Sequence, residues 1–399
     1  MLRFLHCADL HLDTPHTLAD LENAASFRDA LHRAFSSMML YIRQHDVRLA
    51  LLAGDLFSHA FVTRETAALL RRSFAEIPQC QFVIAPGNHD FYADDSLYAQ
   101  TTFPENVHIF RDASLSLYTC TIPMEDGTSV TVEVFGFAHT APEPEMAGWN
   151  PFDHLTAETA AQLRQPPAAG RHRVFLGHAD IRGTSKETPQ ITREQLTAYH
   201  FDYAALGHYH TSDGIRRTGC LYFGYPGCMV GRGYDETGFR GAVCGTLDFD
   251  ADGKSVLTVR RLRIGKRHFE TLTIDTGSYA ARGILTEKAL AAELARETAQ
   301  AAEDGRLVAL DENTALKLTL IGSLPADIPV TERVIRSALP TLSELVLDDR
   351  TDPCPTDALT ADPTLRGAYC RALDPALRSD SEVIRETAAL ALRLGLQAL

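Results

Sequence analysis

Two stretches decide the fold: Arg48-Leu49-Ala50-Leu51-Leu52-Ala53-Gly54-Asp55, and Gln81-Phe82-Val83-Ile84-Ala85-Pro86-Gly87-Asn88-His89-Asp90. Each is a short apolar run, of the length of a fully buried strand, that ends at once in glycine and in side chains able to bind a metal. Three more runs lead into such side chains, two of them through glycine and the first without it. Leu2 to His6 runs into Asp9-Leu10-His11, Arg173 to Gly177 into His178, and Tyr203 to Gly207 into His208-Tyr209-His210. Between the first three runs lie amphipathic stretches, Glu22 to Gln44 and Arg64 to Glu76, which carry the helical period. That rhythm is βαβαβ and predicts an α/β fold.

Further along, 115–121 and 129–138 read as antiparallel strands around a turn at Glu125-Asp126-Gly127, and strands follow near 221–225, 241–249 and 255–263. The Pro-rich piece 141–151 and the pair Pro166-Pro167 read as loops. After Gly265 the pattern changes to strand 268–274, helix 286–303, strand 313–321, helix 331–338 and strand 343–348, a smaller α+β module. From Asp349 on, Pro353, Pro355, Pro363 and Pro375 suggest a linker, closed by one amphipathic helix from Ser381 to Leu396. Three parts are therefore expected: 1–265, 266–348 and 349–399.

Composition bounds the rest. With 399 residues, 45% hydrophobic and 23% charged, the chain can bury a large core, and no tract is dominated by Ser, Gln or Pro. No apolar run approaches the ~18 residues that a membrane span needs, and no secretory signal opens the chain, so a cytoplasmic protein without a membrane segment is expected. Cysteines at 7, 80, 120, 220, 228, 244, 354 and 370 form no C-x-x-C pair, which points to reduced thiols used in packing. The formal net charge of −14 argues mildly against nucleic acid, since long-range repulsion must be overcome locally.

In α/β folds the loops at the carboxyl ends of strands converge on the ligand site, so the five strand ends, four of them marked by Gly54, Gly87, Gly177 and Gly207, should meet in one place. Together they supply Asp9, His11, Asp55, Asn88, His178, His208 and His210. Carboxylates, imidazoles and an amide without thiolate suit a mixed N/O site for manganese, iron or zinc, with manganese preferred. Seven ligands exceed one ion's needs. They match two divalent transition metals about 3.5–4 Å apart, a geometry that clamps both oxygens of a phosphoryl displacement. Any one of these motifs has a bland reading: Asp-x-His is common by chance, and Asn88-His89-Asp90 also suits a turn bonded to its own backbone. Five in equivalent positions carry the argument.

The ordered series Asp-Leu-His, Gly-Asp-Leu-Phe, Pro-Gly-Asn-His-Asp, Gly-His and Gly-His-x-His resembles the calcineurin-like metallophosphoesterases. The opening His6-Cys7-Ala8-Asp9-Leu10-His11-Leu12-Asp13, with Tyr225-Pro226-Gly227 and Gly231-Arg232-Gly233-Tyr234-Asp235-Glu236-Thr237-Gly238, resembles the SbcD-type DNA-repair exonucleases of the YhaO-like branch. The resemblance covers roughly 1–275 and fades in the tail. It implies a β-sandwich flanked by helices, with the α+β module as a cap over the active site. It implies that Asp9, His11 and His210 hold one metal, that Asn88, His178 and His208 hold the other, and that Asp55 bridges them. His89 becomes the general acid for the leaving alkoxide, and a water bridging the metals the nucleophile. Asp90 is read either as orienting His89 or as stabilising the turn.

In some relatives a histidine stands three residues after the bridging aspartate. Here that position is Ser58, and His59 follows. The remaining histidines, at 16, 32, 45, 108, 139, 154, 172, 200 and 268, read as structural; Tyr209 reads as packing or a base platform, and Arg232 as a surface residue or a phosphate contact. The function implied is a DNA exonuclease or endonuclease in repair. Its rivals are a small-molecule phosphodiesterase or phosphatase with the same metals, which the acidic balance favours, and a non-catalytic scaffold. The partners implied are DNA, a second copy of the chain, and an SbcC-like coiled-coil ABC-type ATPase.

Overall fold

Apolar runs of four to eight residues become buried strands here, and the amphipathic stretches become helices that cover them. The computed structural model describes residues 1–15, 21–124, 126–142, 148–185, 188–251, 255–308, 310–326, 328, 330–339 and 341–399. His16, Glu125 of the expected turn and part of the 141–151 loop lie outside the described residues.

In chain order, β1 (Leu2–Cys7), α1 (Leu21–Gln44), β2 (Leu49–Leu52), α2 (Arg64–Ala75), β3 (Gln81–Ile84), α3 (Leu97–Gln100) and β4 (Val107–Ile109) come first. Then follow β5 (Ser116–Pro123), β6 (Ser129–Gly136), α4 (Ala157–Arg164), β7 (Arg171–His178), α5 (Arg193–Ala198) and β8 (Tyr203–Gly207). β9 (Ile215–Thr218), β10 (Leu221–Gly224), β11 (Gly241–Phe249) and β12 (Ser255–Arg263) complete this part. One sheet has the order β12-β11-β1-β2-β3-β4 and the other β5-β6-β7-β8-β10-β9.

The five strands that end in the ligand-type residues are thus divided between two sheets. β1, β2 and β3 run parallel in the first, and β7 and β8 run parallel in the second. The inner faces supply one core, in which Phe4, Leu51 and Val83 meet Val134, Leu176 and Tyr203. Outside the first sheet, Phe74 of α2 packs on Phe82 of β3 at 4.5 Å and on Phe35 of α1 at 6.3 Å. Outside the second, Phe175 and Leu206 share a core with Leu163 of α4 and Leu196 of α5. The result is a β-sandwich flanked by helices.

α2 starts where Thr63 accepts the Thr66 amide, and α5 opens on a capping box of Thr192 and Gln195. The short helices α3, α4 and α5 and the edge strands β4 and β9 are absent from the sequence reading, being too short to show a period. All eight cysteines are free, and Cys7, Cys80, Cys120, Cys228, Cys244 and Cys370 are buried.

A second compact unit contains Arg267–Leu399 and Gly233–Gly238; the first contains Met1–Arg232 and Phe239–Lys266. Its elements are β13 (His268–Asp275), α6 (Glu287–Glu303), β14 (Thr314–Ile321), β15 (Ser323–Pro325), α7 (Glu332–Ala338), β16 (Glu344–Asp349) and β17 (Asp352–Cys354). Three helices close the chain: α8 (Asp357–Ala361), α9 (Leu365–Leu377) and α10 (Glu382–Ala398). β13, β14 and β16 form a parallel sheet whose Leu316 and Leu318 pack with Leu290 and Leu294 of α6. The stretch read as a linker holds α8 and α9. Pro375 sits in the last turn of α9, a helix that the prolines concealed, and Leu392 and Leu396 of α10 pack with Cys370.

One inter-sheet contact sets up the site. His6, fully buried on β1, accepts the Tyr203 hydroxyl proton at Nδ1 (2.8 Å) and donates from Nε2 to the Leu206 carbonyl (3.2 Å), so the ends of β1 and β8 are held together. Burial pushes its imidazole down to about 3, opposed only in part by the Leu206 carbonyl. The unfolded chain therefore binds a proton here below about pH 6.5 that the folded chain refuses until about pH 3, and stability falls as pH falls across that window. Thermal melts taken from pH 7.5 to pH 5 should decline, and the decline should be shallower in His6→Gln. An equal slope in the two proteins would assign the acid sensitivity elsewhere.

Candidate metal centre

Directly after β1 the backbone turns through residues that L side chains rarely allow: Asp9 (φ 52°), His11 (φ 48°) and Asp13 (φ 65°) are left-handed, as are Asp55 (φ 54°) after β2 and, more widely, His208 (φ 115°) after β8. Such conformations cost of order 1 kcal/mol or more each and persist where surrounding bonds over-determine them. Those bonds are present. Asp9 N–H donates to the Gly54 carbonyl (3.0 Å), His11 N–H to Asp55 (2.9 Å) and Leu12 N–H to Leu56 (2.9 Å), stitching the loop after β1 to the loop after β2.

Close approach explains two glycines. A Cβ on Gly54 would lie 2.6 Å from His178 Nδ1 and 2.8 Å from the Gly87 nitrogen, and one on Gly207 would collide with the Ala53 carbonyl. Only bare backbone lets these strand ends meet.

Asp90 holds the third loop. Its Oδ1 accepts from the Gly87 (2.6 Å) and Asp55 (3.0 Å) amides, and its Oδ2 from the Leu56 amide (2.8 Å) and the Tyr98 hydroxyl (2.6 Å). It braces the loops after β2 and β3; of its two sequence readings, these contacts match the turn-stabilising one. Burial, then the nearby Asp55 carboxylate, raises it to about 7.

The side chains converge as follows. Asp55 Oδ2 lies 3.4 Å from His178 Nε2 and 3.8 Å from His11 Nε2, while its Oδ1 accepts the His89 amide at 2.9 Å. Asp9 Oδ1 lies 3.7 Å from His210 Nε2, and both its oxygens face the His208 amide at 3.2 and 3.3 Å. His11 Nε2 and His210 Nε2 are 3.1 Å apart. Three groups of ligand atoms result, each within 4.8 Å: Asp9, His11 and His210; Asp9, Asp55 and His178; and His11, Asp55 and His89. Asn88 is buried nearby in the same loop. His208 stands outside these groups: its ring nitrogens are each 3.3 Å from Thr188 Oγ1, and its ring centroid is 5.5 Å from that of His178.

Electrostatics favour cations here. Burial first, with Asp55 adding to it, raises Asp9 to about 7, against the opposing pull of His210. Burial drives His11 and His178 well below the ordinary histidine range, Arg232 reinforcing this for His11 and His208 for His178, so both rings stay neutral with a lone pair to offer. His178 donates from Nδ1 to the Ala53 carbonyl at 3.0 Å, which fixes the tautomer with Nε2 as the acceptor. That Nε2 is buried without a hydrogen-bond partner beside Asp55, as is Asn88 Oδ1 in the loop after β3, and His11 turns its Nε2 to Asp55 and His210. Buried polar atoms left unsatisfied are costly, and orphaned acceptors beside two carboxylates are what divalent cations would satisfy. The residues fit the group.

Residues 2–212 match the calcineurin-like phosphoesterases. The chain belongs to this family. Calcineurin-like phosphoesterases use divalent metals, in keeping with the candidate ligand groups of this site. The chain is similar to the uncharacterized metallophosphoesterase YhaO of Bacillus subtilis, 28% identical over 60% of this chain and 56% of that one. It is also similar to the DNA double-strand break repair protein Mre11 of Methanopyrus kandleri, 26% identical over 57% of this chain and 48% of that one. The chain thus spans about half the length of the curated relatives it matches. Among solved structures, the calcineurin-like phosphoesterase YfkN of Bacillus subtilis covers 65% of this chain, and is itself covered to 90%, at 15% identity and a TM-score of 0.36.

Other expected residues fall as follows. His89 is exposed, its ring centroid 5.1 Å from that of His11. Ser58 is buried, and its carbonyl accepts the Phe61 and Val62 amides. His59 reaches His89 through its backbone, N–H to carbonyl at 2.7 Å; its ring lies 4.7 Å from Phe91 and 3.9 Å from the Asp95 carboxylate. Tyr209 is packed, with its hydroxyl 2.5 Å from Thr184 Oγ1 and the Arg182 guanidinium 3.9 Å over its ring.

Arg232 turns inward and donates to His210 Nδ1 at 2.8 Å. Two further supports hold backbone carbonyls of the site: His139, read as structural in the sequence, and Arg240, which has no counterpart there. His139 donates from Nε2 to the His178 carbonyl (2.9 Å), and buried Arg240 donates to the His210 carbonyl (2.8 Å). The Phe-Arg-Gly step before β11 gives no sign of this, because the partner lies thirty residues away. Among the described residues no helix is long and apolar enough to cross a membrane.

Proposed function

We propose that this calcineurin-like phosphoesterase is a two-metal phosphodiester hydrolase acting on DNA, a repair nuclease of the SbcD type. The observation that carries the reading is the convergence of His11, His178 and His210 on the paired carboxylates Asp9 and Asp55, with His178 Nε2 buried and unpartnered beside Asp55. Asp9, His11 and His210 would hold one cation and Asn88, His178 and His208 the other, with Asp55 shared. Manganese suits this N/O set best, and iron or zinc are the alternatives. When bound, the two cations supply Lewis acidity to the phosphoryl oxygens and acidify the attacking water.

The protein's own groups do the remainder. Asp55 would be shared by both ions: one oxygen looks at histidines from both sheets, and the other is fixed by the His89 amide. That same bond, with the His59 amide on the His89 carbonyl, fixes the His89 backbone and leaves its imidazole exposed beside the buried cluster. There it can give a proton to the departing alkoxide. The named role of the archaeal relative in double-strand break repair supports DNA as substrate. The net charge of −14 favours the second reading, a small phosphodiester or phosphomonoester.

On the nuclease reading the working form pairs with a second copy and with a coiled-coil ABC-type ATPase that holds the DNA. Mn²⁺-dependent digestion of end-labelled DNA, run beside bis-p-nitrophenyl phosphate, is the test. Turnover of the small diester with intact DNA would establish the second reading instead.

A further inference from the structure

β12 is an edge strand, and its sequence is strongly graded. From Ser255 to Lys266 there is no carboxylate, while Arg260, Arg261, Arg263 and Lys266 crowd its second half and are exposed. The register tells where that half lies. β1 pairs antiparallel with β11, His6 opposite Val243, and β11 pairs antiparallel with β12, Val243 opposite Arg261 and Gly241 opposite Arg263. The arginines therefore sit at the end of the sheet where β1 runs out into Asp9 and His11.

Alternation sorts them by face. Leu257 and Val259 point into the core between the sheets, and Arg261 and Arg263 continue that face at the site end. Arg260 points the other way, toward the Tyr41 hydroxyl at 3.3 Å.

Arg261 and Arg263 are gathered with Arg240, the residue that holds the His210 carbonyl. Burial lowers the Arg261 guanidinium, and the positive charges of Arg240 and Arg263 lower it further. Arg263 lies 4.3 Å over the Phe239 ring, and Arg240 Nε is buried without a partner. Like charges held together repel, and an anion between them relieves that repulsion.

We propose that Arg261 and Arg263 bind backbone phosphates of a nucleic-acid substrate beyond the diester being cleaved. This rests on the nuclease reading and deepens it. A small phosphodiester ends at the metals and needs no such ridge, whereas a polymer carries further phosphates to meet it. It also answers the acidic balance: a cluster of positive charge at the site end of the sheet would offset locally the net charge of −14. Phosphate contacts of this kind give salt-sensitive, sequence-independent affinity.

The test is fluorescence anisotropy with a labelled duplex in chelator, which removes cleavage and the metals' own attraction. Arg261→Glu with Arg263→Glu should lower affinity roughly tenfold or more and flatten the slope of log K against log salt by about two. The milder pair Arg261→Gln and Arg263→Gln should move both in the same direction, and serves if charge reversal unsettles the edge strand. With metal restored, the loss on DNA should exceed the loss on bis-p-nitrophenyl phosphate at least tenfold. Unchanged affinity and slope in a folded variant, while the unaltered protein cleaves DNA, would overturn the ridge alone. Failure of the unaltered protein to bind or cleave DNA, with the small diester still turned over, would overturn the nuclease reading and the ridge with it.

Discussion

Asp55→Ala, purified without chelator, should carry almost no transition metal, whereas the unaltered protein should carry about two equivalents. The expectation comes from one carboxylate serving two places. Asp55 Oδ2 faces His178 from the second sheet and His11 from the first, so on the proposed assignment its removal would leave neither ion a full set. Alanine adds a second effect, because Asp55 is left-handed (φ 54°), a conformation that disfavours Ala by about 1–2 kcal/mol. Asp55→Asn separates the two: asparagine tolerates that conformation and keeps an acceptor for the His89 amide, but it is neutral. Both variants should lose metal by elemental analysis, and only Asp55→Ala should lose much stability as well. Full metal content in either variant would remove Asp55 from the bridging position.

Acid should act on the same site. With Asp9 raised to about 7 by burial and by its neighbour Asp55, protons compete with metal as pH falls through that value. Metal retained after gel filtration should therefore drop between pH 8 and pH 6.

How much of this could be read in advance depended on whether a feature is local. Asp9, His11, Asp55, Asn88, His178, His208 and His210 each follow a short apolar run, and that run announces both the strand and the loop at its end. The assembly of those runs into two facing sheets is not local, since the pairing of β1 with β11 joins residues more than two hundred positions apart. α9 was hidden for a related reason: Pro375 reads as a breaker, but in a helix's last turn the carbonyl it leaves unpaired is near an end that is unsatisfied in any case. Asp90 shows the limit within a motif. Asn-His-Asp names three polar residues, and nothing in their order says that the last one bonds the amides of Asp55, Leu56 and Gly87 while the middle one stays exposed. Arg240 was illegible, and His139 was legible only as structural without its partner, because each supports a backbone carbonyl distant in sequence.

His89→Gln should keep its metals and lose on the order of 10²–10⁴ in rate on DNA, the usual size of a general-acid contribution. The position supports both halves of that statement. His89 is exposed where its neighbour Asn88 is buried, and its backbone is already fixed by Asp55 Oδ1 on one side and the His59 amide on the other, so a change of side chain leaves the loop intact. Yet a nitrogen of the same ring falls within 4.8 Å of ligand atoms of His11 and Asp55, which makes metal binding a real competitor to proton donation. Two measurements divide these roles. Elemental analysis of His89→Gln should match the unaltered protein; a loss of one equivalent would make His89 a ligand. A substrate whose leaving group is p-nitrophenol departs as a stable anion and needs no proton, so the rate on bis-p-nitrophenyl phosphate should fall far less than the rate on DNA. Equal losses on both substrates, with metal content unchanged, would mean that His89 positions the phosphate and that the proton for the alkoxide comes from another group.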